Sequence, residues 1–539
     1  MIPAMSEEIT ADYFIAGCGI AGAVLATKLA KSGKKIVISE QGPRFSETDR
    51  AGMLLRARET LNDYADYNDD TDPKAVTAHT SASNGEQTVD WTALRLFGVG
   101  GTALHFEGIM SRPFVPDVEV RTRFGYGRDW PIPYAEFDAT LLLAEHEVGV
   151  AGDFYNPYAT PRSGAYPMPA HEFSYYDREI FAPALEKLRI KTHSCPRAIN
   201  SRPYRDRPAC QGCRICKFCP SGARYSPDRD HVPKLEKRPN VKIMDGVSLR
   251  RLEASPAGDR IVAAHALRVD EGTPIVVRAE RYILAMGGVE TPRMLLLSAQ
   301  GSVHKDGLGN QGGQLGRGFS DHLNPYVTID VGRPVGSRLG FETMISDYFR
   351  ARVDRRRQPT FMIFSSPAMD WFPIGNEATT WATTGESLSL KDLRESIPRM
   401  ATLSTMTELE GQGVLELDEN KLDDFGSPLA KVTLKLTEWD RQGPAKLAEL
   451  APKIAEAMGA AHVSEITPPE FGLGYHPSGT TAMAKSLHDG VCDPDLKVFG
   501  LDNLYLLSNS VFPHMGASPP TLTIVALALR LAHRLEGGR

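Results

Sequence analysis

The chain has 539 residues, 42% of them hydrophobic and 24% charged, an ordinary globular composition in a chain too long for one core, so we expect two domains. The 61 Lys and Arg residues nearly balance 67 Asp and Glu residues, and a net charge of -6 argues against nucleic acid or an anionic membrane as a partner. With these partners disfavoured, we expect a small-molecule ligand. No apolar run approaches the roughly 20 residues of a membrane span, so we expect no direct membrane insertion.

The first predicted element is a strand over the apolar residues 12–16, followed by a glycine turn and a helix with apolar residues at helical spacing. In such a unit Gly17 permits the tight turn, Gly19 lets the backbone approach a pyrophosphate, and Gly22 allows close packing of the helix. A second strand ends in Glu40, about 20 residues past the glycines, where a ribose hydroxyl is bound. The unit predicts a dinucleotide and does not distinguish NAD from FAD.

Farther along the chain, four cysteines fall within ten residues: Cys210, Cys213, Cys216 and Cys219, followed by a proline. The spacing C-x2-C-x2-C-x2-C-P is close to the ferredoxin pattern C-x2-C-x2-C-x3-C-P, so we predict an iron-sulfur cluster, 3Fe-4S with one cysteine spare or 4Fe-4S with all four bound. Zinc is the alternative, although zinc ribbons separate their cysteine pairs by about 15 to 20 residues. The scattered Cys18, Cys195 and Cys492 are predicted to be buried packing residues or, for Cys18, part of the glycine turn.

Between about residues 330 and 470 the pattern changes to alternating polar and apolar residues. The runs GVLELDEN and AKVTLKL predict two strands, with the turn DDFGSP between them.

Several separate segments resemble the glucose-methanol-choline family of FAD-dependent oxidoreductases and occur in the family's order. They are the glycine-rich 98–102 with His105, the Asp-Trp-Pro of 129–131 with the helix-like run after it, 283–297 (ILAMGGVETPRMLLL), 315–317 with Asp321 and His322, and a C-terminal stretch from His476-Pro477-Ser478-Gly479-Thr480 through Asn503 to 521–524. The resemblance spans residues 12 to 530.

This resemblance implies an α/β fold and selects FAD as the dinucleotide. A discontinuous, Rossmann-like FAD-binding domain is expected over 10–330 and 470–539, with a cysteine-rich insert at 195–230. An α+β substrate-binding domain on an antiparallel sheet is expected over 331–469. The residues that the resemblance adds to the expected FAD site are Gly100, Gly101, His105 and Asn503.

The resemblance also assigns the catalytic positions. His476 matches the family's catalytic histidine, the base that takes the hydroxyl proton while the carbon delivers hydride to the flavin. A second position, usually Asn or His, is filled here by Pro519, which has no backbone N–H donor and no polar side chain. His514 is a possible substitute, and a side chain of the substrate-binding domain is another.

Within the family, Cys219-Pro220-Ser221-Gly222-Ala223 is similar to the insert of bacterial FAD-dependent sugar dehydrogenases. The implied activity is oxidation of a hydroxyl of a sugar, glycoside or related polyol, with electrons leaving through the cluster to a small partner subunit or a cytochrome. Oxidation of a ring hydroxyl, as in glucoside 3-dehydrogenases, competes with anomeric oxidation; a sugar oxidase using oxygen and a non-catalytic flavin- or cluster-binding subunit are further alternatives. The chain is expected in the cytoplasm, or in the periplasm if a signal-bearing partner exports it.

Overall fold

The computed structural model describes residues 6–60, 80–83, 88–90, 96–158, 160–213, 216–335, 343–367, 399–464, 466 and 476–538. Its α-helices are α1 (Ile20–Leu29), α2 (Glu47–Thr60), α3 (Val120–Phe124), α4 (Tyr134–Val148), α5 (Ala182–Lys187), α6 (Pro227–Asp230), α7 (Val232–Glu236), α8 (Gly287–Leu297), α9 (Tyr348–Arg352), α10 (Glu438–Met458) and α11 (Thr521–Leu535).

The β-strands are β1 (Glu7–Ala16), β2 (Ile36–Ser39), β3 (Thr80–Ser83), β4 (Thr88–Asp90), β5 (Ala151–Gly152), β6 (Met168–Pro169), β7 (His193–Ser194), β8 (Val241–Met244), β9 (Val247–Ala254), β10 (Ile261–Arg268), β11 (Pro274–Leu284), β12 (Arg317–Phe319), β13 (Tyr326–Asp330), β14 (Met344–Ser346), β15 (Phe361–Pro367), β16 (Met400–Thr407), β17 (Gly413–Leu422), β18 (Pro428–Thr433), β19 (His462–Val463) and β20 (Leu504–Leu506).

The first sheet has the order β8-β2-β1-β11-β10-β9, with β20 also paired to β11. Strands β8, β2, β1, β11 and β20 pair in parallel, and Ile15 of β1 lies between Ile38 and Ile283 of its two neighbours. All three side chains are buried, as expected where helices cover both faces of a parallel sheet. The strand, turn, helix, strand unit predicted at the N-terminus is confirmed.

Helices α1, α4 and α11 pack together beside this sheet, with apolar side chains from each in one core. The helix predicted after residues 129–131 is confirmed as α4. Within the part of the chain that the structure describes, no helix combines the length and the apolar character that a membrane crossing requires.

A second, antiparallel sheet has the order β19-β13-β16-β15-β14-β7. Helices α5 and α10 pack on it and share its apolar core. Two of its strands, β7 and β13, precede residue 331. The domain boundary expected at residue 330 stays a prediction.

The strand pair predicted from the alternating runs is confirmed, because β17 and β18 are antiparallel and place Leu415 opposite Val432. The pair does not join the second sheet. It lies instead in a third sheet of order β12-β17-β18-β3-β4. The sequence therefore predicted the hairpin but not the sheet that contains it.

Candidate active site

The turn between β1 and α1 requires glycine at two of its three predicted positions. Gly17 has a φ of 101°, in the left-handed region, and a side chain there would collide with the carbonyl oxygen of Ala285. A side chain at Gly22 would collide with the carbonyl oxygen of Gly17, so the helix approaches the turn more closely than any other residue allows. The backbone at the start of α1 is thereby left open to a ligand.

Glu40 directly follows β2 and lies beside this turn. Its Oε2 accepts the backbone N–H of Cys18 at 2.9 Å, and its Oε1 accepts that of Gly42 at 3.1 Å. Burial raises the pKa of the Glu40 carboxyl to about 7. Backbone N–H groups of Gln41 and Gly98 also bond this carboxyl, and Glu40 lies in a cavity wall at the place where such units bind a ribose.

A cavity of about 400 Å³ connects the dinucleotide unit with the C-terminal motif. Its wall includes the predicted residues Gly17, Gly19, Glu40, Gly101, His105, His476 and Pro519, together with the start of α8 and residues 520–521. The glycine turn, the acid at the end of β2 and the glycine-rich residues 98–106, hereafter the flavin loop, therefore face one space. That combination fits FAD, with the pyrophosphate at the α1 N-terminus and the ribose at Glu40.

His476 lies in this wall and forms a hydrogen-bonded pair with His322. The two Nδ1 atoms are 2.9 Å apart, and Nε2 of His322 is 2.9 Å from the carbonyl oxygen of Gly516. The backbone N–H groups of both histidines donate to Oδ1 of Asp321, at 2.6 Å for His322 and 2.8 Å for His476. The carboxylate thus fixes both backbones.

The partners of the pair assign its tautomers. A carbonyl oxygen only accepts, so Nε2 of His322 carries the proton and its Nδ1 is an acceptor. Nδ1 of His476 must then donate to His322, which leaves Nε2 of His476 unprotonated and turned away from His322. His476 is held in the form that a general base requires.

Both imidazoles are kept neutral by their surroundings. Burial lowers the pKa of His322 to about 3. Burial and, next, the neighbouring His322 hold the pKa of His476 well below its usual range. Asp321, His322 and His476 are close enough to one another to bind a metal, but their hydrogen bonds account for the grouping without one.

The lowered pKa of His476 predicts a pH profile. A base acts when it is unprotonated, so a low pKa keeps His476 competent at pH values where an ordinary histidine, of pKa about 6.5, is already protonated. We expect kcat/KM to stay constant as the pH falls through 6.5 and to decline only at clearly lower pH. The measurement uses an acceptor whose own reduction is independent of pH. A decline centred at about pH 6.5 or above would contradict this assignment.

Of the residues predicted for the FAD and catalytic sites, four do not line the cavity. Gly22 lies beneath the turn, and the N–H of Gly100 donates to the carbonyl of Cys18 at 2.9 Å. The amide of Asn503 binds backbone groups of Ile261 and Glu280 at 2.8 to 3.2 Å, which joins β10, β11 and the start of β20. The fourth residue is His514, whose role in the reaction stays a prediction.

His514 belongs to a buried ionic cluster. Its Nε2 is 2.8 Å from Oε1 of Glu408, which also accepts from Arg355. Arg355 donates in turn to Asp117 at 2.8 Å. The Asp117 carboxylate packs against Gly516 so closely that any side chain at that position would collide with it. The cluster therefore supports the loop that supplies the Gly516 carbonyl to His322.

The sequence patterns gave no role to two residues of this site. His322 was part of a family motif, but its bond to His476 joins positions 154 residues apart. Asn324 lines the cavity; in the orientation that satisfies its amide, Nδ2 donates to the carbonyls of Leu323 and Thr405 at 3.2 Å each. The signal available in the sequence was the polar Asn324 directly after the apolar Leu323, an alternation typical of an extended segment with two different faces.

The four predicted cluster ligands differ in exposure: Cys213 is exposed, Cys210 and Cys216 are half-buried, and Cys219 is buried. Two sulfurs accept backbone N–H groups, Cys210 from Gly212 at 3.4 Å and Cys219 from Arg224 at 3.2 Å. Such bonds stabilise thiolate ligands of iron-sulfur clusters. Cys18, Cys195 and Cys492 are buried, as predicted.

The spacing of these sulfurs gives no support to a closed zinc site. Among the described residues, which include all four cysteines, no three of the sulfur atoms lie within 4.8 Å of one another. Ligands about 2.3 Å from one zinc ion would be closer than that.

The chain belongs to the GMC oxidoreductase family, whose two models match residues 172–324 and 410–528. The resemblance read from the motifs is confirmed. The protein is an FAD-dependent oxidoreductase that acts on CH–OH groups, with a Rossmann-like FAD-binding domain and a substrate domain on an antiparallel sheet.

Relatives match along nearly the whole chain. The fructose dehydrogenase large subunit of Gluconobacter japonicus is 29% identical over 98% of this chain and 98% of its own. The gluconate 2-dehydrogenase flavoprotein of Pantoea cypripedii is 26% identical over 96% of this chain and 92% of its own. The crystal structure of pyridoxine 4-oxidase from Mesorbium loti superimposes with a TM-score of 0.66 at 17% identity, covering 98% of this chain and 100% of that one, which shows a shared fold.

Proposed function

We propose that the protein is a dehydrogenase that oxidises a hydroxyl of a sugar, glycoside or related polyol and passes the electrons on through an iron-sulfur cluster. The observation that carries this proposal is the His322–His476 pair, which holds an unprotonated Nε2 in the wall of the cavity that fits FAD. The sugar class is supported by full-length similarity to subunits named for fructose and gluconate dehydrogenases.

Bound FAD supplies the hydride acceptor for this chemistry. The substrate O–H proton passes to Nε2 of His476 while the carbon loses its C–H bonding electrons as hydride, and the C–O bond becomes a carbonyl. His322 and the Gly516 carbonyl keep Nδ1 of His476 as the donor, so the proton has one nitrogen to which it can go.

Asn324 is the polar side chain that we propose for the role left open by Pro519. With Nδ2 donated to two backbone carbonyls, its Oδ1 remains as an acceptor for a sugar hydroxyl. Asn324 lies two residues after His322 and lines the cavity with His476 and Pro519. It would orient the substrate, not carry out the proton transfer.

Asn324→Leu is therefore expected to raise KM for the best sugar by roughly tenfold, the loss of about one hydrogen bond, with kcat reduced less. Asn324→Asp keeps an acceptor but loses the donor to Leu323 and Thr405, so it should retain more of the affinity than Leu. The measurement is steady-state sugar oxidation with an artificial one-electron acceptor against sugar concentration. Equal KM values for wild type and Asn324→Leu would remove Asn324 from the role.

The residues that would hold the cluster are Cys210, Cys213, Cys216 and Cys219. Their fit rests on the N–H bonds to two sulfurs and on the buried Arg207 and Arg224 beside Cys219, both of which favour a negatively charged cluster. A small subunit or a cytochrome is the acceptor that we propose, since the fructose dehydrogenase relative is named a large subunit.

Two measurements test the function. Addition of a panel of sugars and polyols without oxygen should bleach the flavin with at least one sugar, and bleaching by none would favour a non-catalytic subunit. Iron and acid-labile sulfide in anaerobically purified protein test the cluster, and zinc without either would exclude it. In steady state an artificial one-electron acceptor should outperform oxygen; the reverse result would indicate an oxidase.

A further inference from the structure

One buried arginine bonds both the cysteine segment (residues 210–219) and the flavin loop. The side chain of Arg224 is fully buried, and its backbone N–H donates to Sγ of Cys219 at 3.2 Å. Its guanidinium group reaches the flavin loop, where Nη1 donates to the carbonyl of Ala103 at 2.8 Å and Nη2 to that of Leu104 at 2.7 Å. The residue after Leu104, His105, lines the cavity.

The same guanidinium has further contacts with cavity-lining residues. Nη2 also donates to the carbonyl of Lys217 at 3.0 Å, and Lys217 itself lines the cavity. The group lies 5.0 Å from the ring centre of Phe106, another cavity residue. Arg224 thus fixes two sides of the cavity wall to each other, next to a predicted cluster ligand.

Arg207 provides a contrast in the same insert. It is also buried, and it donates to the carbonyls of Ala223 and Val148 and pairs with Asp230 at 3.0 Å. Its charge lies close enough to Cys219 to interact with it. In the described part of the chain, none of these hydrogen bonds or ion pairs of Arg207 reaches the flavin loop.

We propose that Arg224 is a positioning residue that ties the cysteine segment to the flavin loop and thereby sets the rate at which electrons pass from the flavin to the cluster. This inference rests on the proposed function. Two electrons leave the substrate carbon with the hydride, and they must leave the reduced flavin singly for a one-electron acceptor protein. The separation of the two cofactors, which the chain fixes through Arg224, then limits the second half of the reaction.

Substitution of the side chain isolates this role. Arg224→Lys keeps the positive charge and the backbone N–H bond to Cys219, but an ammonium group cannot reproduce the planar fork that spans three carbonyls. Arg207→Lys is the matched control, because it also replaces a buried fork near Cys219 while leaving the flavin loop untouched.

The experiment uses the purified holoenzyme with any subunit that co-purifies. The best sugar is mixed with it without oxygen, flavin bleaching is followed by stopped flow, and cluster reduction is followed by freeze-quench electron paramagnetic resonance. In Arg224→Lys we expect cluster reduction to slow by roughly tenfold or more relative to flavin bleaching in the same preparation, since small displacements of a reacting pair are costly in rate. In Arg207→Lys both rates should match wild type.

Selective loss of iron from Arg224→Lys, with iron retained in Arg207→Lys, also supports the assignment, because it shows that the flavin loop anchors the cysteine segment through Arg224. Equal rates and iron contents in all three proteins overturn it, as do equal losses in both variants, which would indicate a general effect of a buried arginine. If the wild-type protein contains no iron and no sulfide, the proposed function itself is contradicted. This result is known before any variant is compared, so the two failures are distinguishable.

Discussion

Replacement of His476 with Asn is expected to slow anaerobic flavin bleaching by about 10²- to 10⁴-fold, the usual contribution of a positioned general base. The reason is geometric: the pair with His322 leaves Nε2 of His476 unprotonated at the cavity wall, and an amide has no basic nitrogen to replace it. The backbone N–H bond to Asp321 is retained in the variant, so the local chain should keep its place.

The measurement for His476→Asn is the single-turnover bleaching rate at saturating sugar, with the FAD content determined from the same preparation. We expect a normal FAD content, because the contacts predicted for the dinucleotide lie on other segments. The matched control is His231→Asn, since His231 is also buried with a pKa lowered to about 4 by burial, but binds Thr27 outside the cavity wall. A variant at His476 that bleaches within about threefold of wild type would remove it as the base.

The dinucleotide half of the site could be predicted because its determinants are local. Gly17, Gly22 and Glu40 follow from two strands, the turn and the helix between them, and the spacing alone fixes their order in the unit. The family motifs in the rest of the chain then predicted FAD as the dinucleotide and His476 as the base. The parallel pairing of β1 with β2 follows from the same unit.

The catalytic half could be predicted only in part, because its geometry comes from contacts between distant segments. His476 meets His322 across 154 residues and the Gly516 carbonyl meets His322 across 194 residues, and no periodicity encodes either bond. His514 was predicted as a possible substitute for the missing Asn from its place along the chain, and its role in the reaction stays a prediction. Its contact with Glu408 at 2.8 Å joins positions 106 residues apart, which no local pattern encodes.

Replacement of His322 with Leu is expected to be nearly as damaging as loss of the base, at about 10²-fold in kcat/KM. Without the acceptor Nδ1 of His322, nothing in the pair selects the tautomer of His476, and a fraction of the imidazole presents N–H to the substrate instead of a lone pair. The Gly516 carbonyl also loses its donor, which should cost about 1 to 3 kcal/mol in the free energy of unfolding.

The pH profile separates this role from simple damage. His322 bonds His476 directly and, after burial, is the second group that sets its pKa, so its removal should shift the acid limb of kcat/KM. His304→Leu is the matched control: His304 is buried and binds the Gly258 carbonyl through Nε2 at 2.8 Å, as His322 binds Gly516. It should lose stability without any shift of the acid limb.

His322→Asn sharpens the test, because an amide offers one acceptor and one donor and so retains the polarity of the imidazole edges, though over a shorter reach. It should recover activity relative to Leu if orientation of His476 is the role of His322. If Leu and Asn variants lose the same activity and both keep the wild-type acid limb, His322 only fills space. His476 would then owe its protonation state to burial alone.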